Sequence, residues 1–442
     1  MTTTPRQMKL GMFMREAGHH IAAWRAPDAP KSPGNNVAHM VELAQLAEHG
    51  LFDMLFWADS AGIWGGDKAE LSRMCRTAWI EPFTMLAGLS MVTKHIGLTC
   101  TMTSTYTEPF NVARHFMSLD VMSGGRAAWN LVTSANQAEA QNFSREAHLA
   151  KSDRYHRARE YADVVLGLWR SWDDDAFVED KEEGLFFDPE KLHLLNHEGE
   201  HFKVRGPLNV PRSPQGYPVM IQAGASEDGR DLAAATAEVI FAATPTIEGA
   251  REYYADIKAR AARHGRDPDL VKIMPGAGIM VGRTDEEAEE KFDRLQKLIH
   301  PQVGVRQLSN YVSYDLSNYP VDGPLPPIPT NEVSNSRVEL LVQMAKRDNL
   351  SIRQLYEAIS GSRGHMTLRG SVKTVVDTLE EWFTTGAADG FNILFPTLPG
   401  SLNDFVELVT PELQRRGLFR TAYEGTTLRE NLGLPRPLGT SG

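Results

Sequence analysis

The chain has few cysteines and no long apolar segment. Cys75 and Cys100 are the two cysteines among 442 residues, too few for a disulfide framework and in keeping with a reducing cytoplasm. No apolar run approaches the ~20 residues that a membrane-spanning helix requires, and the first residues lack the apolar core of a secretion signal. We therefore expect a cytoplasmic protein that does not enter a membrane.

Positive charge and several ligand-binding patterns are also scarce. The formal net charge is -11 and the basic residues are dispersed, which argues against a nucleic-acid partner. Neither Gly-x-Gly-x-x-Gly nor Gly-x-x-x-x-Gly-Lys-Ser/Thr occurs, so we expect neither a tightly held dinucleotide nor a P-loop triphosphate. The Gly-x-Ser-x-Gly pattern of many hydrolases is missing as well.

Short apolar runs alternate with longer helical patterns along most of the chain. The apolar runs predict eight strands: Met8–Met14, Asp53–Asp59, Ile96–Ser104, Ala127–Thr133, Pro218–Gln222, Val239–Thr244, Ile273–Val281 and Phe391–Phe395. The longer patterns predict helices, among them Asn36–Glu48, Pro82–Lys94, Phe110–Met122, Ser226–Ala237, Ile247–His264, Asp285–Leu298 and Ser371–Phe383. Apolar strands separated by helices indicate a buried parallel sheet, and eight units predict an α/β protein with a (β/α)₈ TIM barrel.

Two long stretches interrupt this repeat, at about residues 135–217 and 301–367. We expect one TIM-barrel domain over residues 1–442, with both stretches as insertions. Segments that follow the strands of such a barrel lie at the C-terminal face, where active sites form. We therefore expect the two insertions to lie at that face.

The junction after Gln222 has the features of a phosphate site. A short apolar strand ends in Ala223-Gly224, and a helix begins at Ser226. Free backbone N–H groups, small residues and a hydroxyl group meet at such a junction. An ordinary turn with a serine N-cap has the same pattern, so both interpretations stay open. The missing dinucleotide and triphosphate patterns narrow a phosphorylated ligand to a mononucleotide.

Polar residues follow the second, third and fourth predicted strands. These strand ends contain Asp59 and Ser60, Thr101 to Tyr106, and Asn130 to Ser134. Parallel strands in a barrel bring their carboxyl ends to one mouth, so these groups should surround a common site. Helix N-caps would explain single residues but not the whole set. A heteroaromatic ring with several donors and acceptors would suit this site.

The spacing His193-x3-His197-x3-His201 resembles a metal-binding pattern. On a helix the three imidazoles would share one face, as zinc ligands do. The turn-like sequence Asn196-His197-Glu198-Gly199 and the alternation that follows it favour a hairpin instead. We therefore expect no metal site.

A series of motifs runs in order along nearly the whole chain. They are Ala113-Arg114, Leu119-Asp120, Ser123-Gly124-Gly125-Arg126, Trp129-Asn130-x-Val132-Thr133-Ser134, Arg154-Tyr155, Arg157-Ala158, Glu160, Arg205 to Leu208, Pro211 to Gly216, Gln222 to Ser226, Gly361, Arg363-Gly364-His365 and Tyr423 to Arg429. Together these motifs resemble the bacterial-luciferase-like flavin monooxygenases, in particular the nitrilotriacetate, dibenzothiophene-sulfone and long-chain-alkane monooxygenase branch.

The resemblance implies an enzyme that uses O₂ and reduced FMN as a diffusible co-substrate. A separate NAD(P)H:flavin reductase would supply the reduced FMN, and the oxygenated substrate would be a small organosulfur, aminopolycarboxylate or alkane-like molecule. A homodimer or homotetramer is the family expectation. A deazaflavin-dependent dehydrogenase of the same barrel superfamily and a catalytically silent flavin-binding protein are the alternatives.

The resemblance also implies roles for particular residues. Asp59, Thr101 and Tyr155 would contact FMN, and Ser226 would contact its phosphate. The family often has a histidine four residues before this tyrosine, where the present chain has Lys151, a cation that can also face phosphate or a flavin oxygen.

Candidates for catalysis and substrate binding are fewer. His300, His365 and Asn130 are the candidate catalytic residues. Arg15 and Arg363 are candidates for binding an anionic substrate. A solvated basic loop would explain the same charges.

Overall fold

The computed structural model describes residues 6–63, 67–134, 136–312, 314–328, 336–360 and 364–439. The strands are β1 Lys9–Phe13, β2 Met54–Trp57, β3 Gly97–Thr103, β4 Ala127–Val132, β5 His197–Glu198, β6 Lys203–Val204, β7 Val219–Gln222, β8 Val239–Ala242, β9 Lys272–Gly282, β10 Met366–Ser371 and β11 Gly390–Leu394. In the described part of the chain, no helix is long and apolar enough to cross a membrane.

Eight of these strands form a closed parallel barrel, in the order β1, β2, β3, β4, β7, β8, β9, β11. The ring closes because β9 pairs with β8 on one side and β11 on the other, while β11 also pairs with β1. Each predicted strand overlaps one barrel strand. The predicted TIM barrel is therefore confirmed.

One strand was not predicted from the sequence. β10 pairs in parallel with β9 from Met366–Ala277 to Ser371–Gly282, outside the closed ring. This pairing is available because β9 has 11 residues, while β8 and β11 together contact only its part up to Gly278. The remaining edge of β9 binds β10 through backbone hydrogen bonds.

The helices surround the barrel and fill the insertions. They are α1 Val37–His49, α2 Lys68–Leu71, α3 Pro82–Ser90, α4 Pro109–Met122, α5 Gln137–Asn142, α6 Lys151–Leu168, α7 Glu227–Thr236, α8 Ile247–Arg263, α9 Asp285–Gln296, α10 Pro301–Val312, α11 Ser336–Arg347, α12 Ile352–Ile359, α13 Val372–Thr384, α14 Gly400–Asp404, α15 Thr410–Arg415 and α16 Leu428–Leu432. Side-chain N-caps set several of their starts, including Ser226 on α7 and Thr246 on α8. Each such oxygen accepts a backbone N–H that has no partner within the helix.

The two long stretches contain ordered elements. The stretch between β4 and β7 holds α5, α6 and the hairpin β5–β6, while α10, α11 and α12 lie between β9 and β10. α10 and α12 pack through an apolar cluster of their own, which includes Leu308 and Tyr356. That cluster is separate from the main barrel core.

A buried carboxyl group ties together segments that are far apart in the sequence. Asp120, at the end of α4, accepts hydrogen bonds from Ser213 Oγ at 2.5 Å, Gln215 Nε2 at 2.6 Å and the Ala127 backbone nitrogen at 2.8 Å. Gln215 Oε1 in turn accepts the backbone N–H of Arg429. One side chain thus links α4, the start of β4, the approach to β7 and α16.

We expect Asp120→Ala to lower the free energy of unfolding by about 3 kcal/mol or more, because three buried donors lose their acceptor. Asp120→Asn keeps an acceptor oxygen and should cost about 1 kcal/mol. Urea unfolding of both variants beside the wild type measures the difference. Equal losses for the two variants would show that the hydrogen bonds are not the cause.

Candidate active site

A cavity of about 360 Å³ opens at the carboxyl ends of the barrel strands. Six strands contribute to its wall, namely β1, β2, β3, β4, β7 and β8. Most of the polar lining comes from the three predicted strand ends and from β7, with a further part from α5 and α6; it includes Asp59, Ser60, Thr101, Asn130, Thr133, Ser134, Gln222, Glu139, Arg154 and Tyr155. The prediction that these strand ends share one mouth is therefore confirmed.

Three phenylalanines form the apolar part of the wall. The ring centroids of Phe13, Phe56 and Phe241 lie 5.3 Å apart in each pairing. They come from β1, β2 and β8, and their mutual contact fills the centre of the barrel where those strands end. An apolar surface beside polar groups is the usual lining of a site for a flat heteroaromatic ligand.

Thr101 and Asn130 form a hydrogen-bonded pair on neighbouring strands. Asn130 Nδ2 donates to Thr101 Oγ1 at 2.6 Å, and both side chains are buried. The strand register places the two residues directly opposite each other. Asn130 Oδ1 has no hydrogen-bond partner among the described residues. An unpaired buried acceptor is costly, so this oxygen is prepared to accept a ligand donor.

Asp59 is held in place by a residue of the following loop. Its Oδ1 accepts the indole N–H of Trp79 at 3.0 Å. Burial raises the pKa of the Asp59 carboxyl above its ordinary value, although the Trp79 hydrogen bond opposes that shift. The carboxyl group is thus a fixed acceptor at the edge of the cavity.

The junction at Gln222 joins two helices beside the cavity, whose lining includes Tyr155 and Gly224 but not Ser226. Ser226 Oγ caps α7 by accepting the Gly229 backbone N–H at 3.4 Å, and it lies 3.4 Å from the hydroxyl of Tyr155 on α6. A Cβ atom on Gly224 would lie 2.4 Å from the Gly229 carbonyl oxygen. Glycine is therefore required for this close approach. The N-cap interpretation is confirmed, and it leaves the Ser226 hydroxyl beside a second hydroxyl.

The remaining site candidates lie in different places. Lys151 begins α6, but its side chain lies outside the described part of the chain, as does Arg363. His365 lines an adjoining cavity of about 570 Å³ and stacks on Phe241 with ring centroids 5.1 Å apart. Burial lowers the pKa of His365. His300 precedes α10, where its carbonyl oxygen accepts the Val303 N–H. It is not among the residues that line these two cavities, and its catalytic role stays a prediction.

The three histidines with metal-like spacing do not share a face. β5 and β6 form the predicted hairpin, and each histidine has a different neighbour. His193 Nε2 lies 3.1 Å from Asp173 Oδ2, and His197 Nε2 lies 3.0 Å from Glu160 Oε1. His201 lies instead beside His156 and Glu200, close enough for the three to share a cation, but none of them lines the cavity.

Sequence reasoning missed three residues around the mouth. Trp79 and Arg76 come from the long segment between β2 and α3, and Glu139 of α5 lines the cavity. None belongs to a strand end or to a recognisable pattern. Barrel topology could have pointed to these residues, because a segment that follows a barrel strand begins at the mouth.

A polar mouth at the C-terminal face of a TIM barrel, with a hydroxyl pair at a helix N-terminus, defines a ligand-binding enzyme site. The chain belongs to the luciferase-like monooxygenase family, whose model matches residues 17–389. It is therefore a flavin-dependent monooxygenase. The predicted branch is confirmed, since nitrilotriacetate, dibenzothiophene-sulfone and long-chain-alkane monooxygenases are among its relatives.

Three relatives illustrate the similarity. The N-acetyl-S-(2-succino)cysteine monooxygenase of Bacillus subtilis (strain 168) is 52% identical over 99% of both chains. Nitrilotriacetate monooxygenase component A of Aminobacter aminovorans is 47% identical over 98% of this chain and 97% of that protein. The crystal structure of a riboflavin lyase with modified FMN and riboflavin has a TM-score of 0.83 and 30% identity, covering 98% and 97% of the two chains.

The raised pKa of Asp59 predicts a pH dependence of stability. The folded chain holds the Asp59 proton more tightly than the unfolded chain, so the contribution of this group to stability falls as pH rises from the ordinary Asp value of 3.8 through the folded pKa. Asp59→Asn removes that loss. The free energy of unfolding of the variant minus that of the wild type should therefore increase with pH.

Urea unfolding at a series of pH values on both sides of 3.8, the ordinary Asp value, measures this difference. Asp322→Asn is the control of opposite sign, because hydrogen bonding from Arg353 lowers the pKa of the Asp322 carboxyl. For that variant the difference should decrease as pH rises toward 3.8 and become constant above it. A flat difference for Asp59→Asn would contradict the assignment.

Proposed function

We propose that this protein is the oxygenase component of a two-component system. It uses O₂ and reduced FMN, which a separate NAD(P)H:flavin reductase supplies, to oxygenate a small organic substrate. The observation that carries the proposal is the arrangement of the cavity. Tyr155 lines it, and its hydroxyl lies 3.4 Å from that of Ser226 at the start of α7. The Asp59, Thr101 and Asn130 groups line it at the strand ends. The hydroxyl pair at the start of α7 suits the phosphate of a mononucleotide, and the groups at the strand ends suit its ring.

The residues present fit FMN on three points. Asn130 Oδ1 is a buried acceptor without a donor, and a reduced flavin ring carries N–H donors. The close approach at Gly224 exposes the start of α7, where backbone N–H groups and the positive end of the helix dipole favour a phosphate. The phenylalanine wall supplies an apolar surface for the ring.

Reduced FMN, when bound, would supply the electrons that activate O₂. The protein must orient the ring and exclude water. In our proposal Thr101, Asn130 and Asp59 fix the edge of the ring, and Phe13, Phe56 and Phe241 exclude water from the barrel side. Ser226 and Tyr155 fix the phosphate end.

His365 is our candidate for proton transfer. Burial lowers its pKa, so the imidazole is neutral at neutral pH and can accept a proton. Its Nδ1 atom has no hydrogen-bond partner within the described ranges. The ring lies against Phe241, which lines both cavities and brings the imidazole close to the mouth.

The names of the relatives support the cofactor, the partner and the substrate class. The riboflavin lyase structure contains modified FMN, and the Aminobacter relative is called component A. The Bacillus subtilis and Aminobacter relatives are both named for a molecule with several carboxyl groups. These groups surround a sulfur atom in N-acetyl-S-(2-succino)cysteine and a nitrogen atom in nitrilotriacetate. We propose an aminopolycarboxylate or a carboxylated organosulfur compound as the substrate.

A coupled assay tests this function. Purified chain, an FMN reductase, NADH and O₂ are combined with a panel of thioethers, sulfones, aminopolycarboxylates and alkanes. We expect at least one member to give a product that contains one additional oxygen atom or the fragments of its breakdown. Failure of the whole panel, or turnover with a reduced deazaflavin and without O₂, would contradict the proposal.

The phosphate assignment predicts a specific loss of FMN binding. Ser226→Ala removes the hydroxyl beside Tyr155, so the Kd for FMN should increase about tenfold. The control is Thr246→Ala, which removes the matching N-cap hydroxyl from α8. Both variants should lose about 1 kcal/mol of stability, but Thr246→Ala should bind FMN as the wild type does. Equal FMN affinities of the two variants would contradict the assignment.

A further inference from the structure

Two arginines near the mouth have buried N–H groups without partners. Arg15 follows β1, and Arg76 belongs to the segment between β2 and α3. Arg15 Nε and Arg76 Nη1 are shut off from solvent and have no hydrogen-bond partner among the residues described. Burial, with the Arg15 charge as a smaller cause, lowers the pKa of Arg76 to about 10. The Arg76 guanidinium is therefore charged at neutral pH.

Arg15 lies against Phe13 of the cavity wall, and Arg76 lies behind the same residue through His19. The Arg15 guanidinium carbon is 5.6 Å from the centroid of the Phe13 ring. Arg76 Nη2 donates to the carbonyl oxygen of His19 at 2.5 Å, and the imidazole of His19 contacts the same phenylalanine with ring centroids 4.6 Å apart. Arg15 thus contacts a residue that lines the cavity, and Arg76 is one residue further from it; neither arginine is among the residues that line the cavity.

The charged groups around Arg15 and Arg76 do not neutralise the positive charge of the two arginines. Glu16 is near enough to act on the charge of Arg76, but neither arginine forms an ion pair with a carboxylate within the described chain. Burial lowers the pKa of His19 well below its usual value, so this imidazole is neutral. Two neighbouring guanidinium groups with unpaired buried N–H groups are unfavourable unless an anion joins them.

We propose that Arg15 and Arg76 bind a carboxylate of the substrate on the Phe13 side of the cavity. This inference rests on the proposed function and narrows its substrate to a molecule with a carboxylate held away from the atom to be oxygenated. Two guanidinium groups bind a carboxylate oxygen pair through directed N–H donors, which lysine cannot reproduce. An alkane or an uncharged sulfone would leave these groups unpaired and should be a poor substrate.

The test measures binding of tricarballylate by calorimetry, with FMN present, to the wild type, Arg15→Gln and Arg76→Gln. We expect each substitution to weaken binding about tenfold or more, because a hydrogen bond to a charged group is lost. Arg76→Lys keeps the charge and should recover part of the affinity. The control is Arg294→Gln, since Arg294 is an exposed residue of α9 with a loose 3.8 Å contact to Glu290. The trimethyl ester of the probe should bind all variants equally weakly.

The outcomes separate this inference from the proposed function. Arginine-dependent binding of tricarballylate supports the anion site even if the coupled assay yields no oxygenated product. If oxygenation is found, the variants should raise KM for carboxylated substrates more than they lower kcat. Unchanged tricarballylate affinity in both Gln variants, with FMN affinity intact, would overturn the inference and leave the proposed function standing.

Discussion

Closure of the barrel is the constraint on which the site depends. β9 binds β8 through Val239–Lys272 to Ala242–Pro275 and binds β11 through Asn392–Gly276 to Leu394–Gly278. Because all eight ring strands are parallel, closure turns every carboxyl end toward one mouth. Residues that are 228 positions apart in the sequence, such as Phe13 and Phe241, then line a single cavity.

Buried charges at the other end of the strands support this closure. Arg126 precedes β4 and donates five hydrogen bonds to Ser90, Thr93, Ile96 and Ser123. Arg429 of α16 binds both carboxylate oxygens of Glu238 just before β8. Hydrogen bonds offset the free-energy cost of burying a guanidinium group, and because their acceptors lie on different segments, each arginine joins several segments at once.

These contacts also explain what the family-specific sequence segments do. Asp120, Ser213, Gln215 and Arg429 all belong to segments that carried the resemblance, yet they form one buried structural network away from the cavity. The segments that identify the family therefore describe the scaffold as well as the candidate site. Other parts of them line the cavity, including Asn130 to Ser134 and Tyr155.

The sequence was sufficient for features with a local physical cause. Apolar runs predicted the eight barrel strands, and the Ser226 hydroxyl predicted the start of α7. Polar strand ends predicted the mouth because parallel topology fixes where they meet. β10 was not predicted because it forms by pairing with the part of β9 that extends beyond the closed barrel, a contact between distant segments.

Long segments set the limit of prediction. Trp79 reaches Asp59, and Arg76 reaches His19, only because the segment between β2 and α3 folds back over the mouth. Hydrophobic periodicity does not predict the course of this segment, because that course depends on tertiary packing. His300 is a similar case, because its position follows from how α10 packs and not from its own sequence context.

The structure of the chain with bound FMN is the most direct test of the central claim. We predict that the phosphate contacts Ser226 and Tyr155, while the ring edge contacts Thr101 and Asn130 beside Asp59. A phosphate bound at another place, or a ring outside the strand ends, would contradict the account of this cavity.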